Sequence, residues 1–476
     1  MCLPQLMEEI LMPFAAAFSQ PTAVRMQVIF VGIILARGRR TVTNIVWTMG
    51  GLATGDCSAY HRVFSRAPWN MRRLGKTLAR LLIELVPEGD RVVLAVDDTL
   101  AGHKGAKVYG KGCHHDAVRS THSHTAWRWG HRWVVLAVVV KFPFATRPWS
   151  LPVLAALYRP QSLNEAEGRR HKTPVDLARG LLAHLRHWFP ERKFLLIGDG
   201  GPPEAVYWNR PLRTLPRRLL KSVELMNRPC RSTRDLAAFC HRHRERCALI
   251  GKFPADAALY DRPSKRKKTG RPPVRGRRRR SPGQVVADGG LELATVSWYG
   301  RTNRQVKLKT ASAHWYKAGC GLIPVQWVFV RDETGTRRDE YYFCTQPGLF
   351  MPAEIAGYYT QRWTIEVMFQ ELRTHLGFET PRQRVANSVQ RMAPLLLGVF
   401  SIVSVLYHRH LTRNEPTVNS RPWYDKTEPT FSDALETARR ELWTQTVLAQ
   451  PHFAKALAKT PTQLKNTLLD FLCQAA

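Results

Sequence analysis

The sequence is poor in acid. Its 476 residues hold 37 Asp and Glu against 72 Lys and Arg, a formal net charge of +35. That excess goes beyond what solubility needs and implies a polyanionic partner, nucleic acid ahead of a ribosome-bound role or a membrane surface. Cysteine is sparse and scattered: nine residues, an odd number, with no CxxC pair. This excludes a disulfide scaffold and fits a reducing compartment. No export signal is legible, because Glu8 and Glu9 stand where a signal peptide would be basic. The longest apolar run, Ala393 to Tyr407, is too short for a membrane span and is interrupted by Pro394 and Gly398, so a buried helix is expected and no membrane. Internal repeats are lacking too. The expected location is the cytoplasm of a prokaryotic host, in association with the nucleoid.

What is present is a folded chain. Hydrophobic residues make up 44% of it, enough for a large core in two to four structural units. Residues 1–89 read as a helical region. In it TVTNIVWTM and SAYHRVFSR flank the Gly-rich GGLATGD, a pattern compatible with a helix-turn-helix; an ordinary helical bundle with basic edges reads equally well. Arg39, Arg40, His61, Arg62 and Arg66 would be available there for phosphates or base edges. Residues 90–254 alternate strand and helix. RVVLAVDDTL, HRWVVLAVVVKF, FLLIGDGG and CALIGKF read as buried strands, and TPVDLARGLLAHLRHWF as an amphipathic helix opened by Thr173 and Pro174. The fold class is therefore α/β. Residues 255–350 change character. RPSKRKKTGRPPVRGRRRR (262–280) has no acid at all and should be a solvated, flexible loop that clamps phosphate through Lys265, Arg266, Lys267, Lys268, Arg271, Arg277, Arg278, Arg279 and Arg280. A β-rich stretch follows, with ETGTRR as a hairpin turn. A helix spans much of 351–390, and 391–476 is helical again.

Function in open α/β sheets gathers at the carboxyl ends of strands. Asp97 or Asp98 closes the first strand and Asp199 the third, while Glu366 lies in the helix after the β-rich stretch. Asp97 and Asp98 must point to opposite faces, so only one can join a given site; both faces read as apolar, and periodicity does not choose. A single Asp at a strand end is commonly a turn residue. Three carboxylates in a very basic chain suit hard divalent cations, Mg²⁺ with Mn²⁺ as substitute. Two such ions, about 4 Å apart, can drive in-line attack on a phosphodiester.

YYTQRWTIEVMFQELRTHLG (358–377) sharpens this. At about 100° per residue, Tyr359, Arg362, Glu366 and Arg373 fall within an arc of roughly 60°. Ile365, Met368, Phe369, Leu372 and Leu376 form the adjacent apolar face. An i, i+4 surface ion pair explains Arg362 and Glu366 but neither Tyr359 nor Arg373. A metal-binding carboxylate flanked by phosphate-gripping cations explains the whole strip. The stretch resembles the Tyr-x2-Arg-x3-Glu-x6-Lys (YREK) signature of insertion-sequence transposases with a DDE triad, with Arg373 at the Lys position. VDDT, GDG and the β-rich stretch before the Glu helix extend the resemblance over roughly 90–380. It implies an RNase H-like core with a β-rich insertion and helical N- and C-terminal parts. It also implies a catalytic and metal-binding triad of Asp98, the Asp before Thr, with Asp199 and Glu366, and DNA-end phosphates held by Tyr359, Arg362 and Arg373. The further implications are cleavage at terminal inverted repeats, joining to target DNA, and a dimer in the complex with double-stranded DNA. An RNase H-like nuclease without transposition and a catalytically silent DNA-binding regulator are the rival readings.

Weaker signals remain. KGCHHDAVRSTHSHTAWRWGH (111–131) is rich in His, and Cys240, His243 and Cys247 follow helical spacing with Cys230 upstream. Neither matches a standard zinc pattern, and DNA-facing polar residues are the better reading. Trp298, Trp315 and Trp327 are expected in the core, with stacking on an unpaired base as the alternative.

Overall fold

The computed structural model describes residues 1–116, 119–121, 123–199, 233–263, 273–414 and 425–474. Five helices come first: α1 (Gln5–Ala15), α2 (Gln20–Leu35), α3 (Val42–Met49), α4 (Cys57–Ser65) and α5 (Met71–Ile83). Thr41, Asp56 and Asn70 cap α3, α4 and α5 with side-chain oxygens, as expected of these residue types at N-caps.

The apolar runs become strands β1 (Val92–Gly102), β2 (Gly112–His115), β3 (Trp127–Val140), β4 (Trp149–Tyr158), β5 (Phe194–Gly198) and β6 (Cys247–Lys252). Their order, β4-β3-β1-β5-β6, is antiparallel through β4, β3 and β1 and parallel from β1 to β6. This is the arrangement of an RNase H-like core. Helices α6 (Gln161–Ala166), α7 (Pro174–Trp188) and α8 (Thr233–Arg242) connect the later strands. A capping box of Thr173 and Asp176 opens α7.

The remaining strands are β7 (Leu259–Tyr260), β8 (Glu292–Trp298), β9 (Arg301–Lys317), β10 (Gly321–Asp332) and β11 (Glu340–Cys344), with the short α9 (Pro282–Ala287) before β8. They are hydrogen-bonded into the same sheet: β11 pairs with β6, Phe343 opposite Gly251. Trp298, Trp315 and Trp327 are buried in its core. The basic run differs from expectation at its C-terminal end. Asp261 N donates to Arg277 O at 2.9 Å, and Arg279 N to Leu259 O at 2.8 Å, so this backbone is pinned to the sheet edge while its side chains stay exposed. A charged segment needs no core when an edge strand offers unpaired backbone groups.

The last elements are α10 (Pro352–Thr360), α11 (Trp363–Leu376), α12 (Ala386–Leu411), α13 (Phe431–Leu442), α14 (Pro451–Ala458) and α15 (Thr462–Cys473). The single helix read over 358–377 is thus broken after Thr360. Bonds of the i, i+3 kind at Gln361, Arg362, Thr364 and Ile365 tighten the chain there. Ile365, Met368, Phe369, Leu372 and Leu376 are buried, as the periodicity predicts. Gly377 ends α11 at φ +55°, a left-handed C-cap that favours glycine. Helix α12 is long and apolar enough to cross a membrane, yet most of it is buried inside the protein.

Arg40 is part of the framework. It is 1% exposed, and its guanidinium donates to the carbonyls of Ile33, Gly38 and His375 at 3.0, 2.6 and 2.7 Å. Its expected availability to DNA is corrected: these bonds satisfy the buried charge and clip α2 to the end of α11.

Candidate active site

Strand register selects one of the two adjacent carboxylates. Val93 lies opposite Leu195 and Ala95 opposite Ile197. Leu195 and Ile197 belong to the apolar layer formed with Ile355, Ala356 and Tyr359 of α10. The next step along this face places Asp97 level with Asp199, just past the end of β5. Asp98 falls on the other face. There Arg132 of β3 holds it through two bonds, Nε to Oδ2 at 2.5 Å and Nη2 to Oδ1 at 3.0 Å.

The kink at Arg362 completes the arrangement. Arg362 Nη1 donates to Asp97 Oδ2 at 2.8 Å and Nη2 to Glu366 Oε1 at 2.7 Å, with Asp199 Oδ2 at 3.8 Å. Tyr359, at the end of α10, donates its hydroxyl to Asp199 Oδ1 at 3.4 Å. Its ring packs on Tyr342, centroids 4.5 Å apart, and Trp298 Nε1 donates to Tyr342 Oη at 3.0 Å. Asp97, Asp199 and Glu366 therefore converge on one guanidinium. The expectation that Asp98 joins Asp199 and Glu366 is corrected, because it lies across the sheet from them. Both carboxylates follow apolar residues in the sequence, and only the pairing of β1 with β5 tells them apart.

Arg373 donates to Thr99 Oγ1, which shares the face of Asp97, and its Nε bonds Glu379 Oε1 at 3.0 Å. Arg128 Nη2 meets the other oxygen of Glu379 at 2.6 Å. Asp97, Arg132, Glu379 and Arg128 carried no sequence signal of their own beyond the DD pair. Of the basic run, Lys265, Arg266, Lys267, Lys268 and Arg271 lie outside the described residues. Arg277 and Arg278 are exposed. Arg279 pairs with Asp261, and Arg280 with Asp288. Cys240 and Cys247 are buried in the core, where burial pushes both thiols up, Cys247 to about 11. Cys230 lies outside the described residues.

The electrostatics follow from crowding. Burial pushes the Asp97 carboxyl up to about 7; Arg362 pulls it down, and the neighbouring Asp98 and Glu366 push it up again. Burial opposes charge on Arg362, yet Asp97, Tyr359, Asp199 and Glu366 hold it more firmly protonated than usual. Burial and the Asp199 carboxylate raise the Tyr359 phenol, which keeps it a hydrogen-bond donor.

Three carboxylates in this setting suit a hard divalent cation by donor chemistry. Among the described residues no three acidic, His or Cys side chains form a ready-made metal cluster; the guanidinium lies between them. Arg362 Nε is buried without a hydrogen-bond partner among the described residues, so the Nη atoms carry its bonds to the carboxylates.

Residues 13–228 match the family model of the DDE superfamily endonucleases. Over this stretch the chain is similar to members of that superfamily. The likeness supports a nuclease role with DNA as substrate, in a family whose members use divalent metal ions. The match takes in the helical N-terminal part, β1 and Asp199 and stops before Glu366, which the fold alone brings to the site. No curated protein matches the chain.

Proposed function

We propose that this protein is a DNA transposase that cuts at the terminal inverted repeats of an insertion sequence and joins the freed ends to target DNA. The observation that carries the proposal is the convergence of Asp97, Asp199 and Glu366, from two strand ends and one helix, on Arg362. In this reading Asp97, Asp199 and Glu366 hold two Mg²⁺, with Mn²⁺ as substitute, and Asp98 holds Arg132. When bound, the cations supply Lewis-acid stabilisation of charge at the attacked phosphodiester.

The residues of the chain do the rest. Arg362 neutralises the carboxylates until the site loads, then turns its fork to a phosphate of the DNA end, a group it can grip bidentately. Tyr359 stays protonated and donates to a phosphate oxygen from a ring fixed by Tyr342. Arg373, anchored by Glu379, presents a second cation over Thr99. The helical N-terminal region binds the element's ends; Trp47 there is 81% exposed, His61 and Arg62 are exposed on α4, and Arg66 is exposed just past its end. Two ends demand two sites and hence a dimer in the complex.

The test is incubation of the purified protein with DNA carrying the sequences that flank its gene, in Mg²⁺. Nicks at the repeat boundaries and strand-transfer products support the proposal. Cleavage without any joining would reduce it to a nuclease, and full activity in Glu366→Gln would remove the assigned site.

A further inference from the structure

Beyond the carboxylates, β1 runs into a second feature that the cleavage chemistry does not use. Gly102 ends β1 about 17 Å past Asp97 at the usual rise of an extended strand. There it borders a groove of about 1010 Å³. Lys104, Lys107, Lys111, Arg128 and Arg382 line it. Its two acids are already matched: Glu379 by Arg128 and Arg373, Glu167 by Arg159 and Arg169. The groove therefore carries net positive charge. It is joined to the site through Thr99, Arg373, Glu379 and Arg128.

Two tryptophans stand in this basic setting. Trp127 and Trp129 begin β3, two residues apart and so on one face of the strand; they are 39% and 57% exposed. Lys111 Nζ sits 5.2 Å from the centroid of Trp129. Glycine lets the strands close behind them. A Cβ on Gly130 would lie 2.2 Å from Ala101 O, and one on Gly102 would strike the Arg128 guanidinium. Exposed indole beside cations is the chemistry that takes unpaired nucleotides, with phosphates on the Lys and Arg and a base on the ring. A duplex hides its base faces and has no use for an indole.

We infer that this groove binds a single-stranded DNA segment next to the cleavage point, with a base stacked on Trp129 and its phosphates on Lys104, Lys107 and Arg128. The inference rests on the DNA-cleavage reading for its biological setting, but its test does not require cleavage. The full-length protein is titrated in EDTA against fluorescent dT20 and against a blunt random-sequence duplex, followed by anisotropy. Trp129→Ala should weaken dT20 binding by about 5- to 150-fold, the loss expected for one stacked base. Duplex affinity should change by less than about 2-fold, and Trp129→Phe should stay within about 3-fold of wild type on dT20. The pair Lys104→Gln and Lys107→Gln should lower the salt slope on dT20 by about 1.4. Unchanged dT20 binding in Trp129→Ala overturns the inference, and so does an equal loss on duplex. Trp129-dependent binding in a protein that cuts no DNA leaves the groove standing and removes the cleavage reading instead.

Discussion

The most discriminating perturbation separates two neighbouring aspartates. Asp97→Asn removes one of three carboxylates converging on Arg362, 2.8 Å from its Nη1. Asp98→Asn removes a partner of Arg132 on the far face. Losing a cation-binding carboxylate should slow cleavage at least about 10³-fold, equivalent to about 4 kcal/mol of barrier. The second substitution breaks a two-bond ion pair whose side chains are 28% and 31% exposed. Solvent screening limits that loss to about 1 kcal/mol, a melting shift of about 2 °C, with cleavage within about 3-fold of wild type. Nicking of a supercoiled plasmid bearing the gene's flanks, in Mg²⁺ and Mn²⁺, reads both variants. Circular dichroism melting confirms that each is folded. An inactive Asp98→Asn beside an active Asp97→Asn would refute the register argument.

Other outcomes follow from the same contacts. The Asp97 carboxyl lies near 7 against 3.8 for a free side chain, so its contribution to stability is present below about pH 4 and is lost as pH rises through 7. Metal-free protein should therefore melt lower at pH 8 than at pH 5 by more than Asp97→Asn does. Mn²⁺ affinity should rise across the same window as the proton is released; calorimetry and melting in EDTA check both. Arg40→Ala leaves three buried carbonyls without their donor and should cost about 3 kcal/mol or more in urea unfolding. Arg373→Lys keeps the charge but not the two-sided contact with Thr99 and Glu379, so cleavage should hold within about 10-fold, whereas Arg373→Ala should lose far more.

The parts of the fold legible in advance were those with one dominant signal. The apolar runs at 92–96, 133–140 and 194–198 could only be buried strands, and the Thr173-Pro174 start of α7 was explicit. Strand β4 carries no clear sequence signal, because Pro152 interrupts WSLPVLAALY. The structure accommodates it opposite Ala137, where the register slips by a bulge. The break at Arg362 carries no Gly or Pro to announce it. It nevertheless leaves Tyr359 and Glu366 on one side, Tyr359 bonded to Asp199 and Glu366 to Arg362. Register is the quantity a single sequence hides best. The resemblance favoured Asp98, the residue before Thr, and the pairing of β1 with β5 favours Asp97. Arg40 shows the same limit for charge, since composition does not tell a buried guanidinium from one that waits for phosphate.

The kinked helix also sets a clock. Arg362 meets Asp97 from 265 residues further along the chain. At about 5–20 residues per second, a ribosome needs about 13–53 s to cover that distance. Throughout that time β1 presents its carboxylates without the helix that completes the site. A nascent chain thus presents the first carboxylates well before the helix that gathers them, and the order of synthesis leaves the site incomplete until Arg362 and Glu366 have emerged.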